Sequence, residues 1–425
     1  MSARDTLRKG WCPGALRPMQ TGDGLLVRVK PRAGAFAIAE LTAIAETAAR
    51  CGSGEIDLTN RANLQLRGVS DATFTDAITA LDAAGLIEVD AAIESVRNVM
   101  VDPLSGLDPD RADIRPLAAN LERALAVASA LHALPAKFGF SLSGAAPAAG
   151  NHMAADIVIS ARDQDHCFIQ IDGEPKTGAV VKTEHAVCCA LDLANAFLVL
   201  RERSESIRRM RDAVTAFGSV AVFNHASLNA VVLDAPPAQT PAEVRAGLLG
   251  LETSPWAVGI GLPFGRINAS ELSALCSIAS NLGTSEVRPS PQRILIIPVT
   301  GASAARAILA HAANSGLITR NNDLRLGLDV CPGAPACRNA TTSTRTDAHN
   351  VVAALNAARL TPASIHISGC DKGCARRTPA QITLVARNGA YDMIAGGSVE
   401  GAITAAGIAP QDLAARVVQT LAGQH

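Results

Sequence analysis

Hydrophobic and polar positions follow the same order in two separate parts of the chain. Residues 24–69 open with LLVRV, an alternation that suits a half-buried strand, and continue with IAELTAIAETA, whose apolar residues recur at helical spacing. Residues 256–299 again run through a strand, a glycine-containing turn, a helix, a short loop and a strand. This repetition predicts that one unit of helix and strand occurs twice.

A second pair of segments extends the repetition. Residues 137–161 and residues 364–386 each contain a strand pattern, a polar loop that begins at Ser-Gly, and another strand pattern. The proline-rich stretch 234–243 is the predicted joint between the two copies. A duplicated chain of this kind predicts pseudo-twofold symmetry, with a site at the seam between the copies.

The composition narrows the class of protein. The chain has 425 residues, enough for several structural units, and 48% of them are hydrophobic. The net charge of −1 favours neither nucleic acid nor an anionic membrane as a partner. No apolar run reaches the roughly 18 residues of a membrane span, and the first ten residues lack the apolar core of a signal peptide. We therefore expect a cytoplasmic protein whose thiols stay reduced.

Two closely spaced cysteine pairs are the strongest chemical signal. One pair has the spacing C-x5-C and the other C-x3-C, and together they comprise Cys331, Cys337, Cys370 and Cys374. Four thiols in two pairs suit a tetrahedral zinc ion or a four-iron cluster. The wide first loop, and glycines that let backbone N–H groups approach sulfur in the second, favour the cluster. The other six cysteines show no such pairing, and most are expected to be buried apolar side chains.

Motifs outside the cysteine pairs point to a family. GEIDLTNRANLQLRGV (54–69), VRNVMVDPLSGLDPD (96–110) and LPAKFGFSLSG (134–144), together with the cysteine pairs, resemble the nitrite and sulfite reductase family. That family holds a [4Fe-4S] cluster beside sirohaem and has a two-copy architecture. The resemblance implies a cluster on the four paired cysteines. It also implies an α+β fold of the duplicated, pseudo-twofold nitrite/sulfite reductase type.

The resemblance divides the chain into four parts. Two are ferredoxin-like half-repeats, at residues 1–90 and 236–312. The other two are mixed α/β domains, of which residues 91–235 would bind a tetrapyrrole and residues 313–425 would bind the iron–sulfur cluster.

The chain departs from the reductase pattern near Lys137. Ala136 stands where the family commonly has arginine, and Gly139 stands where it typically has a second basic residue. Reduction of nitrite or sulfite requires several cations around a small anion, so a site with fewer basic residues suits that reaction poorly. Gly139 is instead expected to leave room for a bulkier ligand.

The N-terminal stretch resembles one branch of the family. Residues 11–29, WCPGALRPMQTGDGLLVRV, are similar to the opening of the precorrin-3B synthases of aerobic cobalamin (vitamin B12) biosynthesis. Those oxidoreductases use O2 to hydroxylate precorrin-3A at C20, with closure of a γ-lactone, and hold a [4Fe-4S] cluster and a mononuclear non-haem iron. This resemblance implies a monooxygenase. The alternatives are a sirohaem-dependent nitrite or sulfite reductase and a non-catalytic cluster protein that carries or senses electrons.

The implied substrate is a methylated tetrapyrrole with eight carboxylates, which requires arginine and lysine donors. Strand alternation places Arg28, Lys30 and Arg32 on one face. The predicted substrate-binding residues are Arg28, Lys30, Arg61, Asn63, Arg67, Arg97 and Lys137. The predicted catalytic residues are Arg61, Arg97 and Lys137, one from each of the three family motifs.

The sequence contains no nucleotide-binding motif, neither a G-x-G-x-x-G after a strand nor a Walker A lysine. Electrons are therefore expected from a separate reductase or ferredoxin. No ligands are assigned to the mononuclear iron, because no histidine and carboxylate stand at a spacing typical of non-haem iron sites.

Overall fold

The computed structural model describes residues 11–146, 155–174, 176–232, 243–251 and 253–423. Over these residues the chain is an α+β protein whose strands form four sheets. The helices are α1 (Ile38–Cys51), α2 (Phe74–Ala83), α3 (Ala91–Val96), α4 (Arg115–Val127), α5 (Ala186–Arg201), α6 (Met210–Phe217), α7 (Ser219–His225), α8 (Ala269–Asn281), α9 (Ala302–Asn314), α10 (Thr344–Ala358) and α11 (Pro410–Ala422). The strands are β1 (Met19–Gln20), β2 (Leu25–Val29), β3 (Phe36–Ala37), β4 (Glu55–Leu58), β5 (Leu64–Val69), β6 (Val99–Val101), β7 (Phe140–Ser143), β8 (Ile157–Ala161), β9 (His166–Ile171), β10 (Thr177–Lys182), β11 (Val231–Val232), β12 (Gly247–Leu251), β13 (Ser254–Gly261), β14 (Arg266–Asn268), β15 (Glu286–Pro289), β16 (Ile294–Pro298), β17 (Leu328–Val330), β18 (Ile365–Ser368), β19 (Ala380–Arg387), β20 (Ala390–Gly397) and β21 (Ala405–Ile408).

The first and third sheets exchange strands. The first has the order β1-β2-β5-β4-β14, and the third has the order β12-β13-β16-β15-β3. Strand β14 of the second copy pairs with β4, with Ile267 opposite Ile56, and β3 of the first copy pairs with β15, with Phe36 opposite Val287. Each half-repeat therefore completes the sheet of the other, and α1 and α8 pack together in one shared hydrophobic core.

The second and fourth sheets share one topology. In the fourth sheet, β17, β18 and β19 are parallel, and β20 and β21 follow as antiparallel strands. In the second sheet, β6, β7 and β8 are parallel, and β9, β10 and β11 follow as antiparallel strands. The predicted correspondence of residues 137–161 and 364–386 is confirmed, because β7–β8 and β18–β19 are equivalent pairs in the two sheets.

Both cysteine pairs lie at one edge of the fourth sheet. Cys331 directly follows β17, and Cys370 comes two residues after β18. The two strands are parallel neighbours, with Val330 opposite Ile367, and the Cys331 N–H donates to the Ile367 carbonyl oxygen at 3.2 Å. Because the carboxyl ends of neighbouring parallel strands meet at the same edge, the two cysteine loops emerge side by side.

One helical segment contradicts the expectation that no apolar stretch is long enough to cross a membrane. The segment Thr183–Arg201 meets the criterion of length and composition. Its residues Leu193, Phe197 and Leu200 are fully buried, and they belong to the hydrophobic core that α5 shares with the second sheet. The apolar character of this segment is therefore explained by packing within the protein.

The predicted division into four parts places one boundary between residues 235 and 236, within the proposed joint at residues 234–243. Residues 233–242 lie outside the described residues. The division into four parts therefore stays a prediction.

Candidate functional site

The four paired cysteines converge. The thiol of Cys374 lies within electrostatic range of Cys331, Cys337 and Cys370. The N–H of Gly369 donates to the Cys331 Sγ at 3.1 Å, a contact of the kind expected from the glycines of the motif. Burial raises the pKa of Cys331 to about 11 and also raises the pKa of Cys370. The two loops thus bring four sulfur atoms to one place.

Cys374 shows where the cysteine loops meet open space. The residue is accessible to water, yet protein surrounds its thiol closely enough for desolvation to raise its pKa. The cations of Lys372, Arg377 and Lys137 oppose that shift. Cys374 is the most accessible of the four paired cysteines.

The donor set fits a four-iron cluster better than a single ion. In the described parts of the chain, no three His, Cys, Asp or Glu side chains are close enough to hold one metal ion. A zinc ion would draw four sulfur atoms around one centre, whereas a cube of four irons binds one thiolate at each iron and keeps the thiolates further apart. Four neighbouring thiols with a backbone N–H on one sulfur therefore suit the cluster.

Arg67 attaches the first cysteine loop to the first half-repeat. Its Nη2 donates to the Ala336 carbonyl oxygen at 2.7 Å, and the Gly22 N–H donates to the same oxygen at 3.2 Å. Asp23 accepts from the guanidinium at 3.1 and 2.8 Å. Arg67 is only 2% exposed. The sequence predicted a substrate contact for this residue, and the structure places its donors in a joint between two parts of the protein.

A chain of buried hydroxyl groups supports the same loop. Thr342 donates to the Tyr391 hydroxyl at 2.7 Å, and that hydroxyl donates to the Asp347 carboxylate at 2.6 Å. The Thr344 hydroxyl donates to the Cys331 carbonyl oxygen at 2.7 Å. All five residues are buried. These bonds fix the loop relative to α10 and β20.

Asp57 connects three parts of the chain through one carboxylate. Arg266 of the second half-repeat binds both carboxylate oxygens, at 2.7 and 3.1 Å. Arg345, in the first turn of α10, donates to Oδ1 at 2.9 Å, and Arg67 approaches Oδ2 at 3.8 Å. Because Asp57 is buried, this ion cluster ties both half-repeats to the element that follows the first cysteine loop.

Three of the predicted substrate-binding cations lie close together, and we call Arg28, Lys30 and Arg61 the cationic cradle. The thiol of Cys12 is within electrostatic range of all three. Burial lowers the pKa of Arg28 and of Arg61. Burial, followed by the charge of Arg97, lowers the pKa of Lys30 to about 7. These cations are therefore held together in a poorly solvated place.

The cationic cradle adjoins the cysteine loops. Arg61 Nη2 donates to the Lys137 carbonyl oxygen at 2.8 Å, and the Lys137 ammonium lies within electrostatic range of Cys374. Arg28 donates to the Gln65 side-chain oxygen at 3.1 and 2.6 Å when that amide is oriented to accept. Positive charge thus extends from β2 to the edge of the sheet that carries the cysteines.

Comparisons with known proteins identify this arrangement. The family model of the nitrite/sulfite reductase ferredoxin-like half domain matches the chain twice, at residues 17–84 and 251–314. A precorrin-3B synthase from Sinorhizobium sp is 30% identical over 414 residues, which cover 93% of this chain and 84% of that protein. The chain belongs to the nitrite and sulfite reductase family. As a member of this family it is an enzyme, an oxidoreductase.

Other relatives support the assignment to the nitrite and sulfite reductase family. A ferredoxin–nitrite reductase from Synechococcus elongatus is 25% identical, over 89% of this chain and 79% of that protein. The solved structure of the Mycobacterium tuberculosis NirA protein has a similar fold, with a TM-score of 0.74 at 18% identity over 94% of this chain and 80% of that one. The two matches to the half domain confirm the duplication predicted from residues 24–69 and 256–299.

Arg97, which a motif of the nitrite and sulfite reductase family predicted as catalytic, is enclosed by protein. Its Nε lies 2.6 Å from Glu88, and its Nη1 donates to the Pro31 carbonyl oxygen at 2.9 Å. Its donors therefore hold the turn after β2. Asn63, a predicted amide contact, is also buried. Arg32 lies beyond the end of β2 and pairs with Glu88 at 3.1 Å, so it does not join the cationic cradle.

The space expected at Gly139 is closed. A Cβ at this position would lie 3.1 Å from the Asn98 carbonyl oxygen, and the residue is buried. The expectation of room for a bulkier ligand was wrong, because the backbone just before β6 packs tightly against this buried position. Asp156 accepts from the Gly139 N–H at 2.9 Å and binds Arg209 at 2.8 Å, which further fixes this backbone.

Sequence reasoning missed the roles of Glu94 and Cys12. The Glu94 carboxylate accepts from the Ala15 N–H at 2.6 Å and from the Leu16 N–H at 3.1 Å. It thereby pins residues 11–17, which we call the N-terminal strap, against α3. Cys12 of this strap is one of the six unpaired cysteines, most of which were expected to be buried; it is partly exposed and lies beside the cationic cradle. No local pattern signals either role, because Glu94 and Ala15 are 79 residues apart.

Proposed function

We propose that this enzyme is a precorrin-3B synthase, which hydroxylates precorrin-3A at C20 with O2 and closes a γ-lactone in aerobic cobalamin biosynthesis. The observation that carries the proposal is the 30% identity to the Sinorhizobium precorrin-3B synthase over 93% of the chain. Identity to the Synechococcus nitrite reductase is lower, at 25%. We expect the enzyme to act in the cytoplasm, where thiols stay reduced.

The cationic cradle supports a substrate with many carboxylates. Arg28, Lys30 and Arg61 lie in a poorly solvated place, where the charge of Arg28 disfavours the charges of Lys30 and Arg61. The carboxylates of a tetrapyrrole would supply the missing anions, and charge-assisted hydrogen bonds to carboxylate are among the strongest that side chains make. In this proposal the cradle binds and orients precorrin-3A, and Lys137 lies between the cradle and the cysteine loops.

The four paired cysteines would hold a [4Fe-4S] cluster. When bound, such a cluster supplies electrons one at a time. The proposed reaction puts one oxygen atom of O2 into the substrate and releases the other as water, so each turnover consumes two electrons and two protons. An external reductase or a ferredoxin would deliver the electrons.

The mononuclear non-haem iron that the resemblance implied does not fit any group of residues in the described ranges. No three His, Cys, Asp or Glu side chains approach one another closely enough there to bind a single ion. The cationic cradle itself would repel a metal cation. No part of the proposal depends on this iron.

A sirohaem-dependent nitrite or sulfite reductase is the second candidate, because the nitrite reductase of Synechococcus and the fold of NirA are also similar. Two observations weigh against it. Ala136 and Gly139 remove two basic residues that the family commonly has beside Lys137. Arg97, the third predicted catalytic cation, is used inside the protein.

The test is anaerobic purification, iron and acid-labile sulfide analysis, and incubation with precorrin-3A, O2 and a reductant. The expected result is four irons and four sulfides per chain for the cluster, no sirohaem absorbance, and O2-dependent formation of the hydroxylated lactone. Sirohaem absorbance together with nitrite loss driven by reduced methyl viologen would establish the reductase instead. A cluster protein that binds no tetrapyrrole of either kind would support the electron carrier or sensor.

A further inference from the structure

A cavity of about 290 Å³ lies beneath the N-terminal strap. Its walls come from the strap, from α3 and from the residues around the end of β2. Cys12 and Lys30 both line it, so the cavity borders the cationic cradle. At its rim, the Arg17 guanidinium lies 4.5 Å above the ring of Trp11. The lining thus combines apolar groups with two cations, Lys30 and Arg17, and with one acidic residue, Glu94.

Lys30 is the buried cation of this cavity. Its Nζ donates to the Glu94 carbonyl oxygen at 2.5 Å and to the Asn98 Oδ1 at 3.0 Å. An ammonium has three N–H donors, so one donor has no acceptor in the part of the chain that the structure describes. Both acceptors are neutral groups, and the residue is only 7% exposed. A buried ammonium with a spare donor beside a cavity is ready to bind an anion.

The volume of the cavity limits how large a bound anionic group can be. Pockets that enclose a whole drug-sized ligand measure about 300–1,000 Å³, and a tetrapyrrole with eight carboxylate arms exceeds such a ligand. One carboxyethyl arm has five heavy atoms and occupies on the order of 150 Å³, at about one water volume of 30 Å³ per atom. The cavity of about 290 Å³ therefore has room for one such arm, and it is small for a whole macrocycle.

We propose that this cavity receives a single carboxylate arm of the tetrapyrrole, with Lys30 as its cationic partner and the N-terminal strap as its lid. This inference rests on the proposed function, and it deepens it by naming the subsite that fixes the rotation of the macrocycle. Glu94 serves as a positioning residue, because its carboxylate holds the strap over the cavity. A Cβ on Gly14 would clash with that carboxylate, so the strap follows it closely.

The charges that face Lys30 predict how binding depends on pH. Arg97 and Arg28 disfavour its protonated form, whereas Glu94 of α3 and Cys12 of the strap favour it, and burial has the largest effect. Together they lower the pKa of Lys30 to about 7. Lys30 loses its charge as the pH rises through that value, so the arm should bind more weakly above it. With each pH unit counting as a factor of ten, affinity falls about thirtyfold between about pH 6 and pH 8.5.

The experiment titrates the cluster-containing protein with uroporphyrin III, an octacarboxylate, and follows quenching of tryptophan fluorescence at both pH values. The wild type is expected to show the thirtyfold fall. Lys30→Met should bind at least tenfold more weakly at the lower pH, because a charge-assisted bond is lost. Lys30→Arg should bind at both pH values with equal affinity, because guanidinium stays charged. Arg32→Met, which removes a nearby cation outside the cavity, should match the wild type.

The outcomes separate this inference from the proposed function. Equal affinity of Lys30→Met and wild type overturns the subsite, while uroporphyrin binding itself would leave the proposed function standing. A pH-dependent fall that persists in Lys30→Arg assigns the titration to a group other than Lys30 and overturns the role of Lys30. If the wild type binds no uroporphyrin III at all, the proposed function and the subsite fail together. Should Lys30→Met not fold, the pH profile of Lys30→Arg decides alone.

Discussion

Replacing Asp57 with asparagine tests whether its carboxylate joins the two half-repeats. The substitution keeps the shape of the side chain and removes its charge. Arg266 would keep Glu55 as an anionic partner, and Arg67 would keep Asp23. Arg345 would keep none, because its Nε and Nη1 have no hydrogen-bond partner in the described structure and its Nη2 is held by Asp57.

The magnitude follows from the burial of this ion cluster. Asp57 is 5% exposed, and the side chains of Arg266 and Arg345 are 17% and 15% exposed. Breaking a buried ion pair by removing one partner costs about 3–5 kcal/mol, because a desolvated charge is left uncompensated. With a urea m-value of about 3 kcal/mol/M, that loss lowers the unfolding midpoint by about 1–1.7 M.

The assay is urea unfolding followed by tryptophan fluorescence. Trp11 and Trp256 lie in the two half-repeats that Asp57 joins, so the signal reports on the region in question. Asp172→Asn is the matched control, because its pair with Arg211 at 2.8 Å is solvent-exposed and should contribute only about 0–1 kcal/mol. A midpoint for Asp57→Asn as close to wild type as that of the control would refute the view that this carboxylate joins the half-repeats.

Three further predictions concern the cysteine loops and the cationic cradle. Cys374→Ala should lose the cluster, seen as loss of iron, sulfide and visible absorbance, and a full cluster spectrum in this variant would rule out the ligation. Arg61→Ala should weaken uroporphyrin III binding about tenfold or more while iron content stays near wild type, because its charge-assisted contact is removed; unchanged affinity would remove Arg61 from the substrate site. Tyr391→Phe leaves the buried Asp347 carboxylate without its donor and should destabilise the protein by about 1–3 kcal/mol, measured by thermal unfolding, with an unchanged midpoint as the contradicting result.

Features with a local signature could be predicted from the sequence. The repeated helix and strand patterns at residues 24–69 and 256–299 depend only on neighbouring residues. The duplication that they predicted is confirmed, because two copies of a half domain are present. The cysteine motifs also predicted that their loops lie together, because each loop follows a strand of one parallel pair. The exchange of β3 and β14 between sheets could not be predicted, because these short strands are stabilised by partners from the other copy.

The contacts of the individual arginine side chains could be identified only from the structure. A family motif singles out Arg97, but its carboxylate partner Glu88 and its acceptor on Pro31 come from other segments. Arg67 lies on β5, yet its closest acceptor is the Ala336 carbonyl oxygen, 269 residues away in the sequence. A sequence pattern shows that a cation is present. Only the fold determines whether an anionic group of the protein pairs with that cation before a ligand binds.

Pairing with an anionic group of the protein is therefore a physical criterion that separates structural cations from those that bind the substrate. Arg67 and Arg97 each have a carboxylate within ion-pair distance, so their burial is compensated inside the protein. Arg28 and Arg61 donate to neutral acceptors, the Gln65 amide and the Lys137 carbonyl. Burial lowers the pKa of both guanidinium groups, although the charges of Glu94 and Asp156 partly offset this effect on Arg28 and Arg61 respectively. Desolvated cations with neutral partners are costly to keep unless an anionic ligand binds them, and such perturbed groups gather at functional sites. The cations that the architecture compensates least are therefore the ones to expect against a polycarboxylate.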